Sequence, residues 1–156
     1  MRVSICAVGR MKAGAERDLI DDYLTRFDRT GRSLGLGPAS VVEVDDRKGG
    51  GMAGEAVLLE KAVPEGTALC CLDERGKVMT SPEFAELLGG WRDAGRSGAA
   101  FVIGGADGIA PELRERAEVR LSFGKMVWPH MLARVMLAEQ LYRAASILAG
   151  SPYHRV

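Results

Sequence analysis

Two short runs limit what this chain can fold into. Residues 67–73 and 99–103 include the stretches Ala68-Leu69-Cys70-Cys71-Leu72 and Ala99-Ala100-Phe101-Val102-Ile103, with no polar side chain in either. A strand with one face in water alternates apolar and polar residues. Unbroken apolar runs are the mark of strands covered on both faces, as in a largely parallel sheet flanked by helices. The rest of the chain supplies the partners. Strands are predicted at 3–8, 40–44 and 119–123. Helical spacing of apolar residues recurs at 15–27, 55–63, 80–92, 112–118 and 131–148. Strands and helices alternating along a chain give an α/β fold. At 156 residues the length suits one domain, 1–156.

Punctuation supports this parsing. Thr80-Ser81-Pro82-Glu83 has a hydroxyl cap, a proline in the first turn and an acid beside it, which together start a helix. Pro64 stops the helix before it, and Gly150 and Pro152 end the long one. Residues 31–38 read as a loop and 74–77, Glu-Arg-Gly-Lys, as a turn. Residues 45–54 hold two aspartates and four glycines with little to bury, and are expected to form a mobile surface loop.

Composition removes several classes. Apolar residues make up 47% and charged residues 27%, values of an ordinary globular domain rather than a disordered, collagenous or coiled-coil chain. No window approaches a membrane span, and the N-terminus lacks the apolar core of a signal peptide. The 21 basic and 21 acidic residues cancel, which disfavours bulk electrostatic coating of nucleic acid. Residues 111–156, with seven basic against four acidic groups, form the positive end, where an anionic partner is expected to approach. Cys6, Cys70 and Cys71 all sit in apolar runs. Neighbours on a strand point to opposite faces, so Cys70 and Cys71 cannot share a metal. Buried free thiols imply a reducing, cytoplasmic setting.

Ligands on parallel sheets bind outside the carboxyl ends of the strands, and three such ends are unusual here. The first is Leu72-Asp73. The second, Ile103-Gly104-Gly105-Ala106-Asp107-Gly108, serves either as a cofactor-binding turn or as a tight strand-to-helix connection. It is neither GxGxxG nor a P-loop. The third, Phe123-Gly124-Lys125-Met126-Val127-Trp128, is either packed on the core or the wall of a pocket for a flat ring. Pro129 then places His130 at the positive end of the long helix, which favours a neutral imidazole able to accept a proton. On that helix Glu139 and Arg143 are spaced to pair. Its remaining surface is apolar nearly all round, which makes a homodimer interface plausible. The tail, Tyr153-His154-Arg155, is either a frayed end or a clamp that stacks on a base and donates to its edge. No Ser-His-Asp set, HExxH or CxxC pair is present, and no metal is expected. A transfer from an already activated donor needs mainly alignment and charge management.

The chain resembles the small bacterial methyltransferases of the SPOUT class that modify a pseudouridine at N3 in large-subunit ribosomal RNA. The likeness runs through Ala7-Val8-Gly9, 72–77 and 101–108. It is strongest over 121–143 and in Pro152-Tyr153-His154-Arg155. Gly124 stands where such enzymes often have Ser, and Trp128 where they have Phe or Leu. The resemblance implies a C-terminal trefoil knot and S-adenosyl-L-methionine as cofactor, held by Leu72, Gly104, Gly105, Phe123, Gly124, Lys125, Met126, Val127 and Trp128. It implies a homodimer in which one subunit's tail completes the other's pocket, with ribosomal RNA of the large subunit or assembled ribosome as substrate and no membrane partner. The implied catalytic set is His130, Arg143, Tyr153, His154 and Arg155. A non-enzymatic ribosome-associated factor of the same fold, or a transfer-RNA methyltransferase, are the alternatives.

Overall fold

The computed structural model describes residues 1–45 and 50–154. Five strands form one parallel sheet: β1 (Arg2–Val8), β2 (Ala39–Val44), β3 (Ala68–Val78), β4 (Gly98–Ile103) and β5 (Val119–Ser122), in the order β2-β1-β4-β3-β5. Among the described residues five α-helices connect and flank the strands: α1 (Ala15–Gly31), α2 (Gly51–Ala62), α3 (Ser81–Asp93), α4 (Pro111–Arg116) and α5 (His130–Leu148).

Every residue of β4 is buried, as its apolar run requires of a central strand. Alternation along the strands then sorts side chains between two cores. Ile5, Cys70 and Phe101 face α1, α3 and α5, packing on Phe27, Phe84, Leu88, Leu137 and Leu141. Cys6, Cys71 and Val102 face the opposite way, onto Leu59 of α2 and Leu113 of α4. The adjacent cysteines therefore lie on opposite faces of the sheet. All three thiols are free and buried, and burial pushes Cys6 up to about 11 and Cys71 to about 12.

Four expectations are corrected. The loop expected over 45–54 gives way at Gly51 to α2, four residues before the predicted start; residues 46–49 lie outside the described residues. Its glycines are poor helix formers alone, but Leu59 anchors the helix beneath the sheet. Helix α1 continues past 27 to Gly31 and runs into a 3-10 turn, Arg32–Leu34. A side chain at Gly31 would begin only 2.7 Å from the Leu36 carbonyl oxygen, so glycine fits the helix there rather than breaking it. The turn expected at 74–77 lies inside β3. Leu72 and Lys77 both stand opposite Leu121 of β5, with 73–76 bulging between them. The polar sequence reads as a turn, but the backbone rejoins the same neighbour beyond the bulge. Lastly, β5 stops at Ser122, one residue short of the predicted end, which frees Phe123 for the loop that follows.

Candidate active site

The three unusual strand ends come together. Leu72 and the β3 bulge, Gly104 to Gly108 after β4, and Phe123 to Trp128 after β5 enclose one cavity of about 690 Å³, which His130 and Ala133 of α5 also line. It lies at the carboxyl end of the parallel sheet. Of the nine residues expected to hold a cofactor, eight line it. Lys125 is exposed and does not.

Each wall has a local cause. After β4 the backbone doubles back: the Gly108 N–H donates to the Gly105 carbonyl at 3.0 Å. A Cβ on Gly104 would lie 2.5 Å from the Gly108 carbonyl oxygen, and one on Gly105 would lie 2.8 Å from Glu55 Oε1 of α2. At Gly104 the obstacle is backbone, so only glycine fits there, and main-chain atoms form that cavity edge. After β5, Gly124 takes a φ of +113°, which an L side chain resists. The Ser122 hydroxyl lies 3.0 Å from both the Glu74 and the Gly124 carbonyl oxygens and accepts the Gly124 N–H at 3.1 Å. One buried hydroxyl thus ties the third wall to the first. Met126 and Val127 remain 74% and 80% exposed, so this segment is a lip rather than packed core.

The first wall is charged beneath its surface. The Asp73 carboxylate is nearly buried. Its Oδ1 accepts the backbone N–H and Nε of Arg75 at 3.0 and 3.1 Å, and its Oδ2 accepts Nη1 of Arg114 at 3.1 Å. Sequence reading marked the Leu72-Asp73 strand end but gave Asp73 and Arg114 no role. An acid closing an apolar strand was the available signal.

The remaining expected residues form a second cluster. Arg143 donates to Glu139 Oε1 through Nε (3.0 Å) and Nη2 (2.7 Å), and the Tyr153 hydroxyl donates to the same oxygen at 3.0 Å. The Tyr153 ring lies 4.5 Å from that of Tyr142 between centroids, with the Arg143 guanidinium carbon 5.0 Å from it. Burial, reinforced by the bond to Glu139, pushes the Tyr153 phenol up to about 12. His154 follows, half-buried, its Nδ1 enclosed without a hydrogen-bond partner. Arg155 lies outside the described residues. Neither Arg143, Tyr153 nor His154 lines the 690 Å³ cavity of its own chain; among the described members of the expected catalytic set, His130 alone does. Among the described residues no His, Cys, Asp and Glu side chains group as a metal site, and no helix is long and apolar enough to cross a membrane.

The chain is similar to known proteins along its whole length. A family model described as "Predicted SPOUT methyltransferase" matches residues 1–154. The ribosomal RNA large subunit methyltransferase H of Dinoroseobacter shibae is 75% identical over 156 residues, all of both chains. Its counterpart from Ruegeria pomeroyi is 70% identical over the same span. Two solved structures share the fold at low identity. A probable methylase family protein from Haemophilus influenzae matches with TM-score 0.51 and 14% identity over 99% of this chain and 70% of its own. A probable methyltransferase from Bordetella pertussis matches with TM-score 0.51 and 16% identity over 92% and 96%. The family model over residues 1–154, with relatives 70–75% identical along the full length, identifies the chain as a member of the SPOUT methyltransferase family.

Proposed function

We propose that this protein transfers a methyl group from S-adenosylmethionine to N3 of a pseudouridine in large-subunit ribosomal RNA, on the assembled ribosome. The observation that carries the reading is the cavity at the carboxyl ends of β3, β4 and β5, with its side-chain-free edge at Gly104 and Gly105. Its residues fit the cofactor. The volume suits a nucleoside-sized ligand, bare backbone at Gly104 and Gly105 can approach it, and Leu72, Phe123, Met126, Val127 and Trp128 supply apolar walls for a flat ring. Lys125 stands on the lip beside them. When bound there, the cofactor supplies an activated methyl group.

The chain's own residues manage the acceptor. N3 of the base carries an imide proton that must leave, and the resulting charge spreads onto the ring oxygens. His130, in the cavity wall, or His154 takes that proton. Arg143 and Arg155 bring positive charge to the ring oxygens, and Tyr153 stacks on the base. The cluster of Arg143, Tyr153 and His154 lies away from its own chain's cavity, which supports a homodimer in which each tail serves the neighbouring subunit. The exposed apolar Leu19, Val78, Met126, Val127, Trp128 and Leu132 are surface for such an association. We place the family's trefoil knot in the C-terminal part of the chain.

The test is incubation of the purified protein and S-adenosylmethionine with ribosomes from cells lacking the gene, followed by mass spectrometry of the ribosomal RNA nucleosides. A methyl gain on one pseudouridine is expected. Cofactor binding with no methyl gain on ribosomes or free subunits overturns the reading in favour of a docking factor. A gain on transfer RNA alone reassigns the substrate. Sedimentation at micromolar concentration is expected to give twice the chain mass.

A further inference from the structure

We propose that Glu139 is a positioning residue, whose carboxylate holds Arg143 and Tyr153 in one fixed arrangement toward the methyl acceptor. This rests on the reading that those two groups act on the base. On a helix, Glu139 and Arg143 are one turn apart, and a surface pair at that spacing is usually a loose contact. Here the carboxylate is saturated. Oε1 accepts both Nε and Nη2 of Arg143 and the Tyr153 hydroxyl, while Oε2 accepts Nε2 of Gln140 at 2.9 Å. Gln140 is pinned in turn: its Oε1 accepts the hydroxyl of Ser81, the first residue of α3, at 2.7 Å.

A chain of side-chain bonds therefore runs from the start of α3 through Gln140 and Glu139 to the tail. Tyr153 is bound 14 residues along the chain from Glu139, beyond the end of α5. The bond fixes where the tail leaves the helix, one residue before His154. Glu139 and Gln140 also line a second cavity of about 450 Å³, and Phe123 and Gly124 wall both this cavity and the larger one. Glu139 and Gln140 thus reach the loop that bounds the proposed cofactor site, while Arg143 and Tyr153 line neither cavity of their own chain.

Glu139 touches neither cofactor nor base in this scheme, so its loss should separate turnover from cofactor affinity. For Glu139→Gln, turnover on ribosomes is expected to fall on the order of 10–100-fold, the scale of a misplaced catalytic group. The calorimetric dissociation constant for S-adenosylmethionine should change less than about twofold. Tyr153→Phe removes one of the same bonds while leaving the Glu139–Arg143 pair, and should show the same split. A second readout needs no activity. Ultraviolet titration of the phenols, with Tyr153→Phe assigning the signal, should find Tyr153 near 12 in the parent and lower in Glu139→Gln. Burial, the nearby Tyr23 and the opposing charge of Arg143 all remain in that variant. Parent-like turnover in a folded Glu139→Gln protein, or an unmoved Tyr153 titration, overturns the proposal. A parent protein that methylates nothing, with the titration shift present, defeats the functional reading instead.

Discussion

Gly104 shows how little freedom a single position has at the cavity edge. Its missing side chain leaves space that the Gly108 carbonyl occupies, so any Cβ forces the turn open. Gly104→Ala is expected to lower S-adenosylmethionine affinity by about tenfold or more, measured by calorimetry. Forcing the displaced backbone is expected to cost about 1–3 kcal/mol in denaturant unfolding, the range for steric overpacking. The sequence showed that glycines gather after β4. It left a ligand turn and a plain connection equally open, because both need the same residues. The structure shows that this turn shares a cavity with Phe123 and Leu72. Asp73 illustrates the opposite case. It closes an apolar strand in full view, but its importance lies in Arg114, 41 positions away, and no local pattern announces such a partner.

Among the elements, the parts written in local chemistry were the legible ones. The capping box of α3 is one. The Thr80 N–H donates to Glu83 Oε2 at 2.8 Å and the Glu83 N–H to Thr80 Oγ1 at 3.2 Å, as the order Thr-Ser-Pro-Glu foretells. Thr80→Ala is expected to cost about 1 kcal/mol of stability, the usual value of a lost N-cap, read as a lower urea midpoint with unchanged slope. Helix α2 and the β3 bulge were misread for one shared reason. Gly51 to Gly54 and Glu74 to Lys77 have loop-like residues, and tertiary neighbours hold them in regular elements. Leu59 docks α2 under the sheet, and β5 takes up β3 again at Lys77. The order of the strands was equally closed to sequence reading, since five buried or half-buried runs carry no label for which pairs with which.

Across the whole molecule, one buried cation joins the two ends of the sequence. Arg134 of α5 is 1% exposed. Its Nη2 donates to the carbonyls of Val8 and Gly9, each at 2.7 Å, and its Nη1 to Glu43 Oε2 at 2.9 Å. Burial pushes the Glu43 carboxyl up, but hydrogen bonds from the Met11 N–H and from Arg134 outweigh it and hold it below the ordinary range. A carboxylate with a lowered folded pKa stabilises above its unfolded value and loses that contribution as pH falls through the folded one. Unfolding free energy should therefore drop as pH goes below the ordinary glutamate value of 4.5, and Glu43→Gln should flatten that part of the acid profile. At neutral pH the same change is expected to cost about 1–3 kcal/mol in urea unfolding. This is less than outright removal of a buried charge's partner, because the glutamine amide oxygen can still accept from Arg134 and water reaches the pair at Glu43, which is 31% exposed. The Arg134 contact also bears on how the protein is made. A link across 126 positions cannot form until α5 has left the ribosome, so the strand end that emerges first waits, incomplete, for a side chain synthesised long after it. Until then the Val8 and Gly9 carbonyls have only water to satisfy them.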